Sequence, residues 1–324
     1  MSEWNEDKLE KELEALVNEM PEQDDLEKKI TEGINKRIRK IVLHTLAGVA
    51  AVVLAAFLVI NPLMNKMFFD PYTLNKEPEQ IMLGVLRDYC ETTRPYREVI
   101  DLTVKKKGFA RYELEMQVAD LTEPLIVGPP NVWCEINFEN YENFMDPDFN
   151  MTVHAGRFSD DYEEREEVIK KISELPKSAK IYLSLSDTSP KSIEELRDAN
   201  VELEWFQVYQ PNVDFQGGLS ARPRAIYAED DERDEMTEQE LIEVYLSNLQ
   251  NMLEYKEVWS QLQLSDGKGG VYYDQVLAKT YEDAKTLTTL TSKNYCVYAQ
   301  RDEVIEFLQN NTFDSIYIDN VKLW

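Results

Sequence analysis

Residues 41–60 read IVLHTLAGVAAVVLAAFLVI, and this stretch decides how the rest of the chain is organised. It holds twenty residues without a formal charge, and only His44 and Thr45 interrupt it with clearly polar side chains. At about 1.5 Å of rise per residue, a helix of this length covers the roughly 30 Å of a bilayer's hydrocarbon core. Because only a helix satisfies its own backbone groups in lipid, the stretch predicts a single transmembrane helix at residues 41–61.

A cleaved signal peptide and a buried core helix are the alternatives for this stretch. A signal peptide begins with a short basic segment and has an apolar core of about 7 to 15 residues before a small-residue cleavage site. Here forty largely polar residues come first, and Asn61-Pro62-Leu63-Met64 follows. We therefore expect an uncleaved membrane anchor that stops at Asn61-Pro62.

Basic residues on either side of the span predict its orientation. Four cations directly precede it within residues 36–40, whereas the twenty residues after it contain only Lys66 and Lys76. An excess of lysine and arginine marks the cytoplasmic side of a membrane helix. The N-terminus is therefore expected in the cytoplasm, and residues 62–324 outside the cell membrane.

Net charge excludes one class of function. The 324 residues include 62 Asp and Glu against 35 Lys and Arg, which gives a formal net charge of -27. A protein that binds nucleic acid through its overall field needs a cationic surface. Direct nucleic-acid binding is therefore not expected, although 43% apolar residues suffice to bury a core.

Residues 1–40 are predicted to form an acidic, amphipathic, helical cytoplasmic tail. Before Pro21, apolar side chains recur at the spacing of one helix face, namely Leu9, Leu13, Leu16, Val17 and Met20. An isolated helix of this length is marginal in water. The tail is therefore either solvated and half-ordered, or a helix that folds in a partner's groove with these five residues as its partner-binding site. A second helix after Pro21 is predicted to run into the span.

Residues 62–165 are predicted to form a membrane-proximal α+β region. Apolar side chains lie along one side of residues 79–89, which predicts a helix, and alternate with polar ones over residues 112–118, which predicts a half-buried strand. Residues 105–108 are expected to be the turn that joins this strand to another at residues 99–104.

Residues 166–324 are predicted to form a C-terminal α+β domain in which the order strand, helix, strand occurs twice. In the first unit the helix is expected to begin at Ser189-Pro190, and in the second unit a helix follows a strand at residues 295–299. Between them, Thr237 and Glu240 have the spacing of a capping box, which predicts the start of a long helix. Two such units predict a ferredoxin-like sheet with a helical insertion.

Residue types used in catalysis and metal binding are sparse. The three cysteines, Cys90, Cys134 and Cys296, permit at most one internal disulfide, and His44 and His154 are the two histidines. The sequence contains no glycine-rich phosphate loop, nucleophile elbow or Cys-x2-Cys zinc motif. An acidic run at residues 229–235 lacks the glycine and the alternating ligands of a calcium loop. We therefore expect no enzyme activity, no cofactor and no bound metal.

The arrangement of tail, basic collar, span and outer region resembles the membrane-bound anti-sigma factors of Gram-positive bacteria that carry sigma factor regulator N-terminal and C-terminal domains. The stretches that carry the resemblance are residues 36–40, Gly108-Phe109-Ala110-Arg111-Tyr112-Glu113-Leu114, residues 179–185, Ser192-Ile193-Glu194-Glu195-Leu196, and residues 201–205. The resemblance implies that the tail binds a sigma factor of the extracytoplasmic-function class and keeps it from RNA polymerase. The outer domain would then respond to an envelope signal, which makes the protein a regulator of transcription through signal transduction.

A membrane-tethered extracytoplasmic binding or scaffold protein with no role in transcription is the alternative. The two functions differ in the task of the tail. Deleting residues 1–35 is expected to release transcription if the chain is an anti-sigma factor, and to leave transcription unchanged if it is a scaffold.

Overall fold

The computed structural model describes residues 10–15, 23–74, 78–123, 128–136, 164–222, 235–261 and 270–323. The chain divides into two units, Met1–Leu63 and Met64–Trp324. The described residues of the first unit are helical, and the second unit combines helices with two antiparallel sheets. The α+β class is therefore confirmed.

Helix dominates the N-terminal part of the chain. Residues 10–15 are helical, and helix α1 covers Gln23–Ala55. A five-residue π-helical segment, Ala56–Ile60, follows it, and helix α2 covers Asn61–Met67 without a break. The predicted tail helix that runs into the apolar stretch is therefore confirmed, whereas the predicted stop at Asn61-Pro62 is wrong.

Hydrogen bonding in the π-helical segment explains why the helix continues through the proline. Asn61 donates its backbone N–H to the carbonyl oxygen of Ala56, five residues back instead of the usual four. Pro62 has no N–H to donate, and its ring crowds the preceding turn of a regular helix. Widening that turn by one residue accommodates the ring, so helix α2 resumes at once.

One helix among the described residues, Glu27–Met67, is long and apolar enough to cross a membrane. It has 41 residues, and none of its most apolar window is buried in the protein. Val52 and Leu58, for example, are 70% and 68% exposed. A candidate membrane helix is thus present at the predicted position.

A three-stranded antiparallel sheet, in the order β1-β2-β3, begins the second unit. A 3₁₀ turn at Pro71–Thr73 and helix α3 at Pro78–Thr93 precede strands β1 (Arg97–Gly108), β2 (Arg111–Asp120) and β3 (Val132–Ile136). Helix α3 packs on β1, and Met82 and Leu86 of the helix are fully buried in the same cluster as Leu114 of β2. The helix and the half-buried strand predicted in this region are both confirmed.

The turn of the first hairpin differs from the prediction. Residues 105–108 belong to β1, with one bulge between Lys106 and Gly108, and the two-residue loop is Phe109-Ala110. Both loop residues have positive φ, 54° and 52°, which two-residue hairpin loops often require and which asparagine or glycine normally supplies. The predicted turn at residues 105–108 is therefore wrong, because the loop is built from residue types that carry no turn signal.

A five-stranded antiparallel sheet, in the order β6-β5-β7-β4-β8, lies in the rest of the second unit. Its strands are β4 (Lys180–Ser192), β5 (Glu202–Gln207), β6 (Gly218–Ser220), β7 (Thr291–Gln300) and β8 (Phe313–Lys322). The helices of this region are α4 (Arg165–Ser173), α5 (Ile193–Arg197), α6 (Glu238–Glu254), α7 (Lys256–Gln261), α8 (Gly270–Ala284) and α9 (Arg301–Asn310). Strand, helix and strand follow one another at β4-α5-β5 and again at β7-α9-β8.

Helix α5 begins later than predicted, because Ser192 and not Ser189 is its N-cap. The Oγ of Ser192 accepts the backbone N–H of Glu195 at 3.1 Å, and the Glu195 carboxylate accepts the backbone N–H of Ser192 at 2.8 Å. This reciprocal capping box needs a Glu or Gln three residues after the cap. Ser189 has Ser192 at that position, so β4 continues through Pro190 and the predicted helix start at Ser189-Pro190 is wrong.

The capping box predicted at Thr237 is confirmed. Its Oγ1 accepts the backbone N–H of Glu240 at 3.3 Å, and its own N–H donates to the Glu240 carboxylate at 2.8 Å. Helix α6 begins directly after it and packs on α3. Buried residues of both sheets belong to one continuous cluster, and the division between residues 165 and 166 stays a prediction.

Candidate functional site

The predicted partner-binding face lies near the N-terminus of the chain. Leu13 is the member of this face that the structure describes, and it lies in the helical residues 10–15 with 55% exposure. The other four, Leu9, Leu16, Val17 and Met20, lie outside the described residues. The partner-binding face therefore stays a prediction.

His44, the most polar residue of the apolar stretch, forms a hydrogen bond within its own helix. Its Nδ1 donates to the backbone carbonyl oxygen of Lys40 at 2.6 Å. A polar group is costly in an apolar environment unless it is hydrogen-bonded. This bond therefore lowers the cost of placing His44 at the edge of a membrane span.

The end of helix α2 contacts the turn of the first hairpin. The Oδ1 of Asn65 accepts the backbone N–H of Ala110 at 2.9 Å. Gly108, Phe109 and Ala110 have φ values of 87°, 54° and 52°, and each non-glycine residue in this region costs roughly 1–2 kcal/mol. We call residues 105–111 the hairpin tip. A strained tip is thus fixed to the side chain of Asn65, which belongs to the same unit as the hairpin.

Further contacts fasten the segment after helix α2 to the same two strands. Asp70 Oδ1 accepts the backbone N–H of Tyr72 at 3.1 Å, and the Tyr72 hydroxyl donates to the carbonyl oxygen of Val104 at 3.1 Å. The Lys106 ammonium lies 3.7 Å from the Asp70 carboxylate. Burial and a hydrogen bond to Asp70 raise the pKa of the Tyr112 hydroxyl. These contacts therefore connect the segment after helix α2 to strands β1 and β2.

Aromatic side chains pack where the five-stranded sheet meets the segment between α3 and β1. Tyr96, Tyr182, Trp205 and Cys296 form a separate buried cluster there. The indole N–H of Trp205 donates to the backbone carbonyl oxygen of Glu91 at 2.8 Å, and the Tyr96 hydroxyl donates to that of Leu183 at 3.4 Å. Burial raises the pKa of Tyr96 well above its ordinary value. This cluster joins the two sheets through the side chains of Tyr96 and Trp205.

A buried hydroxyl and a buried thiol lie in contact at this cluster. The Ser184 hydroxyl donates to the Asp319 carboxylate at 2.6 Å and lies 3.3 Å from the Cys296 sulfur. In strand β3, burial raises the pKa of the Cys134 thiol to about 12, which disfavours the thiolate that a cysteine nucleophile needs. All three cysteines are buried, and none forms a disulfide.

A notch of about 360 Å³ lies between helices α5 and α9. Its wall includes Lys191, Glu195, Asp198, Glu306, Phe307 and Asn311. The Lys191 ammonium is already bound by the carboxylate of Asp187 at 3.1 Å and the side-chain oxygen of Asn311 at 3.0 Å. The notch therefore offers carboxylates at its rim, and its lysine is held by an ion pair and a hydrogen bond.

Clusters of metal-ligating side chains are a further feature that the described residues could contain. No group of three His, Cys, Asp or Glu residues that could hold an ion occurs in the part of the chain that the structure describes. His154 and residues 229–234 of the acidic run lie outside that part. The expectation of a protein without a metal therefore stays a prediction.

Comparison with known proteins identifies no relative. No protein-family model matches this chain. No curated protein and no solved structure matches it either. The resemblance to anti-sigma factors therefore remains a hypothesis that depends on the residues quoted for it.

Sequence reasoning missed the contact between Asn65 and the hairpin tip. Asn65 and Ala110 are 45 positions apart, and no local sequence pattern predicts a contact over that distance. The signal that was available is Gly108-Phe109-Ala110, which interrupts the alternation of apolar and polar residues between β1 and β2. That interruption could have located the turn, although not its partner.

Proposed function

We propose that this protein is a single-pass membrane anti-sigma factor that sequesters an extracytoplasmic-function sigma factor through its cytoplasmic tail. The observation that carries the proposal is the apolar helix Glu27–Met67, whose most apolar window the protein leaves unburied. A helical tail precedes it in the chain, and a separate folded unit follows it. A tail, a span and an outer domain are the parts that a receptor needs to pass an envelope signal to a cytoplasmic partner.

The proposed orientation places the tail in the cytoplasm. It is supported by the exposed cations of helix α1 at residues 36–40, which directly precede the apolar stretch. Residues 62–324 would then lie outside the cell membrane. Thiols that remain reduced are compatible with that location here, since all three are buried away from oxidants.

The tail is proposed to bind the sigma factor with one face of a helix. Burying five apolar side chains at about 1.5–3 kcal/mol each gives a gross gain of roughly 8–15 kcal/mol. Association costs an estimated 4–15 kcal/mol. The apolar face by itself therefore supports weak or moderate binding, and acidic side chains facing the basic surfaces of a sigma factor would supply the remainder.

For the outer domain we propose a ferredoxin-like arrangement with a helical insertion. Strand order supports it, since β8-β4-β7-β5 is the order expected when two strand-helix-strand units interleave in one antiparallel sheet. Helices α6, α7 and α8 would be the insertion, between β6 and β7. This domain is assigned a sensing role without catalysis.

Deleting residues 1–35 in the native cell tests the proposed function. The deletion keeps the basic collar, so the span should insert in the same orientation. We expect raised transcription from the promoters of one extracytoplasmic-function sigma factor. Unchanged transcription, with the shortened chain present in the membrane at its normal level, would favour the tethered scaffold instead.

A further inference from the structure

The hairpin tip lies close to where a bilayer would end. Asn65, which binds Ala110 at the tip, is five residues beyond Ile60, or about 7.5 Å of helical rise. Polar headgroups extend roughly 5–8 Å beyond the hydrocarbon on each side of a bilayer. If residues 41–60 fill the hydrocarbon, the five-residue connection keeps Asn65, and the hairpin tip that it binds, within about 17 Å of the end of the hydrocarbon and so within reach of the headgroup layer.

Cations gather at this tip although the chain as a whole is strongly acidic. Lys106, Lys107 and Arg111 lie next to the turn with side chains 42%, 45% and 51% exposed, and Lys66 is exposed on helix α2. Elsewhere the net charge of -27 would repel an anionic surface. The tip is thus a place where this protein could approach anionic lipid without that repulsion.

Lys106, Lys107 and Arg111 each have an acidic neighbour, yet they keep donors for a further ligand. Lys107 pairs with Glu113 at 2.6 Å, and Arg111 pairs with Glu135 at 2.7 Å. An ammonium has three donors and a guanidinium has five. Exposed ion pairs contribute little to stability, so a headgroup phosphate can share or replace the carboxylate.

Phe109 adds an apolar group at the same place. Its φ of 54° is a conformation that a bulky side chain rarely adopts, and asparagine or glycine would suit the loop better. At the end of helix α2, Met67 and the following Phe68 are 69% and 37% exposed. Aromatic side chains and snorkelling lysines are the groups that occupy the interfacial layer of a membrane.

We infer that the hairpin tip is a lipid-binding foot, in which Lys106, Lys107 and Arg111 bind anionic headgroups while Phe109 enters the interfacial layer. The inference rests on the proposed membrane span. The hairpin tip would then have a second role besides its hydrogen bond to Asn65, because bound lipid would hold β1 and β2 against the membrane surface.

Hydrogen–deuterium exchange of the full-length chain in nanodiscs tests the inference. Exchange of the backbone amides of residues 105–111 is compared between zwitterionic bilayers and bilayers with about one third anionic lipid. We expect slower exchange on the anionic bilayers by roughly fivefold, the effect of one lysine held at an anionic surface. High salt should remove the difference.

Two double variants make the comparison specific. Lys106→Gln with Lys107→Gln should remove most of the dependence on lipid charge and leave only the contribution of Arg111. Lys177→Gln with Lys293→Gln should keep it, because these lysines pair with Asp302 and Asp314 in the other sheet region. Each chain is compared with itself on two lipids, so a general loosening of the hairpin cancels.

The outcomes separate this inference from the proposed function. Equal exchange on both lipids, in a chain that is integrated in the bilayer, would contradict lipid binding by the hairpin tip. It would not contradict the proposed membrane span. A chain that does not integrate at all would overturn both. Lipid-dependent protection that keeps its full size in Lys106→Gln with Lys107→Gln would show that other groups bind the lipid and would overturn the assignment of these residues.

Discussion

Leucine and valine side chains have opposite surroundings in the two units of this protein. In the long N-terminal helix, Val52 and Leu58 are 70% and 68% exposed, whereas Val85 and Leu114 of the second unit are completely buried. Intramolecular packing accounts for the second set. The first set needs something outside the chain to cover it, because apolar groups in water are unfavourable and large exposed apolar patches mark interaction sites.

Lipid is the covering that fits the first set best. The exposed residues surround the whole helix and do not follow one stripe, which is typical of a membrane span and not of a helix that docks in a protein groove. Leu13 is a different case, since its predicted face is a stripe flanked by acidic residues. The comparison therefore leads us to propose two kinds of exposed leucine, one that contacts lipid and one that contacts a protein partner.

The largest expected effect comes from placing charge in the apolar helix. Val49→Asp combined with Val53→Asp should cost roughly 5–7 kcal/mol of membrane insertion. In water the same change would be nearly neutral, because both side chains are about half exposed, at 56% and 48%. Alkaline extraction of membranes measures the integrated fraction.

Ile30→Asp combined with Ile34→Asp is the matched control. These residues have the same spacing and similar exposure, 55% and 51%, but precede the uncharged stretch. Integration should be unchanged in this variant. If both double variants remain in the membrane pellet to the same extent, Val49 and Val53 are not surrounded by lipid, and the prediction is wrong.

A second prediction concerns the close packing within the second unit. A Cβ at Gly218 would lie 2.0 Å from the Trp205 ring and 2.5 Å from the backbone oxygen of Phe206. Gly218→Ala should therefore destabilise residues 64–324 by about 3 kcal/mol. Urea unfolding of that fragment measures the change.

Gly84→Ala provides the contrast to this substitution. A Cβ there meets only the Asn251 side chain, at an ordinary 3.9 Å, and alanine favours the helix by roughly 1 kcal/mol over glycine. We expect this variant to be as stable as the parent or more so. A Gly218→Ala fragment that unfolds at the same urea concentration would show that Trp205 does not pack as described.

Alkaline pH should weaken the buried core progressively. Burial raises the pKa of Cys134 from an ordinary 9.0 to about 12 and that of Tyr182 from 10.0 to about 12. Because the unfolded state loses these protons first, stability is complete below about pH 9 and is lost between pH 9 and 12. For Cys134 alone the loss is about 1.4 kcal/mol at pH 10.

The measurement is urea unfolding of the same fragment at pH 8, 9 and 10. Cys134→Ser should flatten part of the decline. If the unfolding midpoint does not change over this range, the thiol and the phenol are not buried in the way described.

The smallest effect is expected at the strained turn. Ala110 has a left-handed backbone conformation, with a φ of 52°, which costs roughly 1–2 kcal/mol and which glycine adopts without strain. Ala110→Gly removes this cost but also loses one buried methyl group, which contributes about 0.8 kcal/mol to stability. The net gain in stability should be at most about 1 kcal/mol. Ala110→Val should have the opposite sign, since a branched side chain is strained further at this φ. A stabilising valine would contradict the described turn.

Local signals made the helical part of the fold predictable. The apolar stretch, the helix before it and the capping box of Thr237 and Glu240 are each specified by residues within a few positions of one another. The start of helix α5 was misplaced because Ser189-Pro190 has an ordinary helix-start composition. The Ser192 and Glu195 capping box, which decides it, depends on a glutamate at the right spacing.

Long-range features were not predictable in this way. The turn at Phe109-Ala110 uses residue types that strain the backbone, so composition pointed to the residues before it. Its contact with Asn65 depends on how the chain packs between these positions. Of the predicted partner-binding face, Leu13 is described as exposed on a helix, and its function depends on a partner that no pattern in one chain can identify.

The central claim is that the tail binds a sigma factor, and co-purification with Leu13→Asp tests it most directly. Full-length parent chain, Leu13→Asp and the control Lys11→Gln are purified from native membranes, and the proteins that accompany them are quantified. Both variants make the tail more negative by one charge, but Lys11 is two residues from Leu13 and so lies on nearly the opposite side of a helix.

Leu13→Asp should weaken binding on the order of a thousandfold, because a carboxylate would be forced into an apolar groove. The account predicts that one extracytoplasmic-function sigma factor accompanies the parent and Lys11→Gln in near-stoichiometric amounts and is absent with Leu13→Asp. A parent chain that carries no sigma factor, or equal amounts with all three chains, would contradict it.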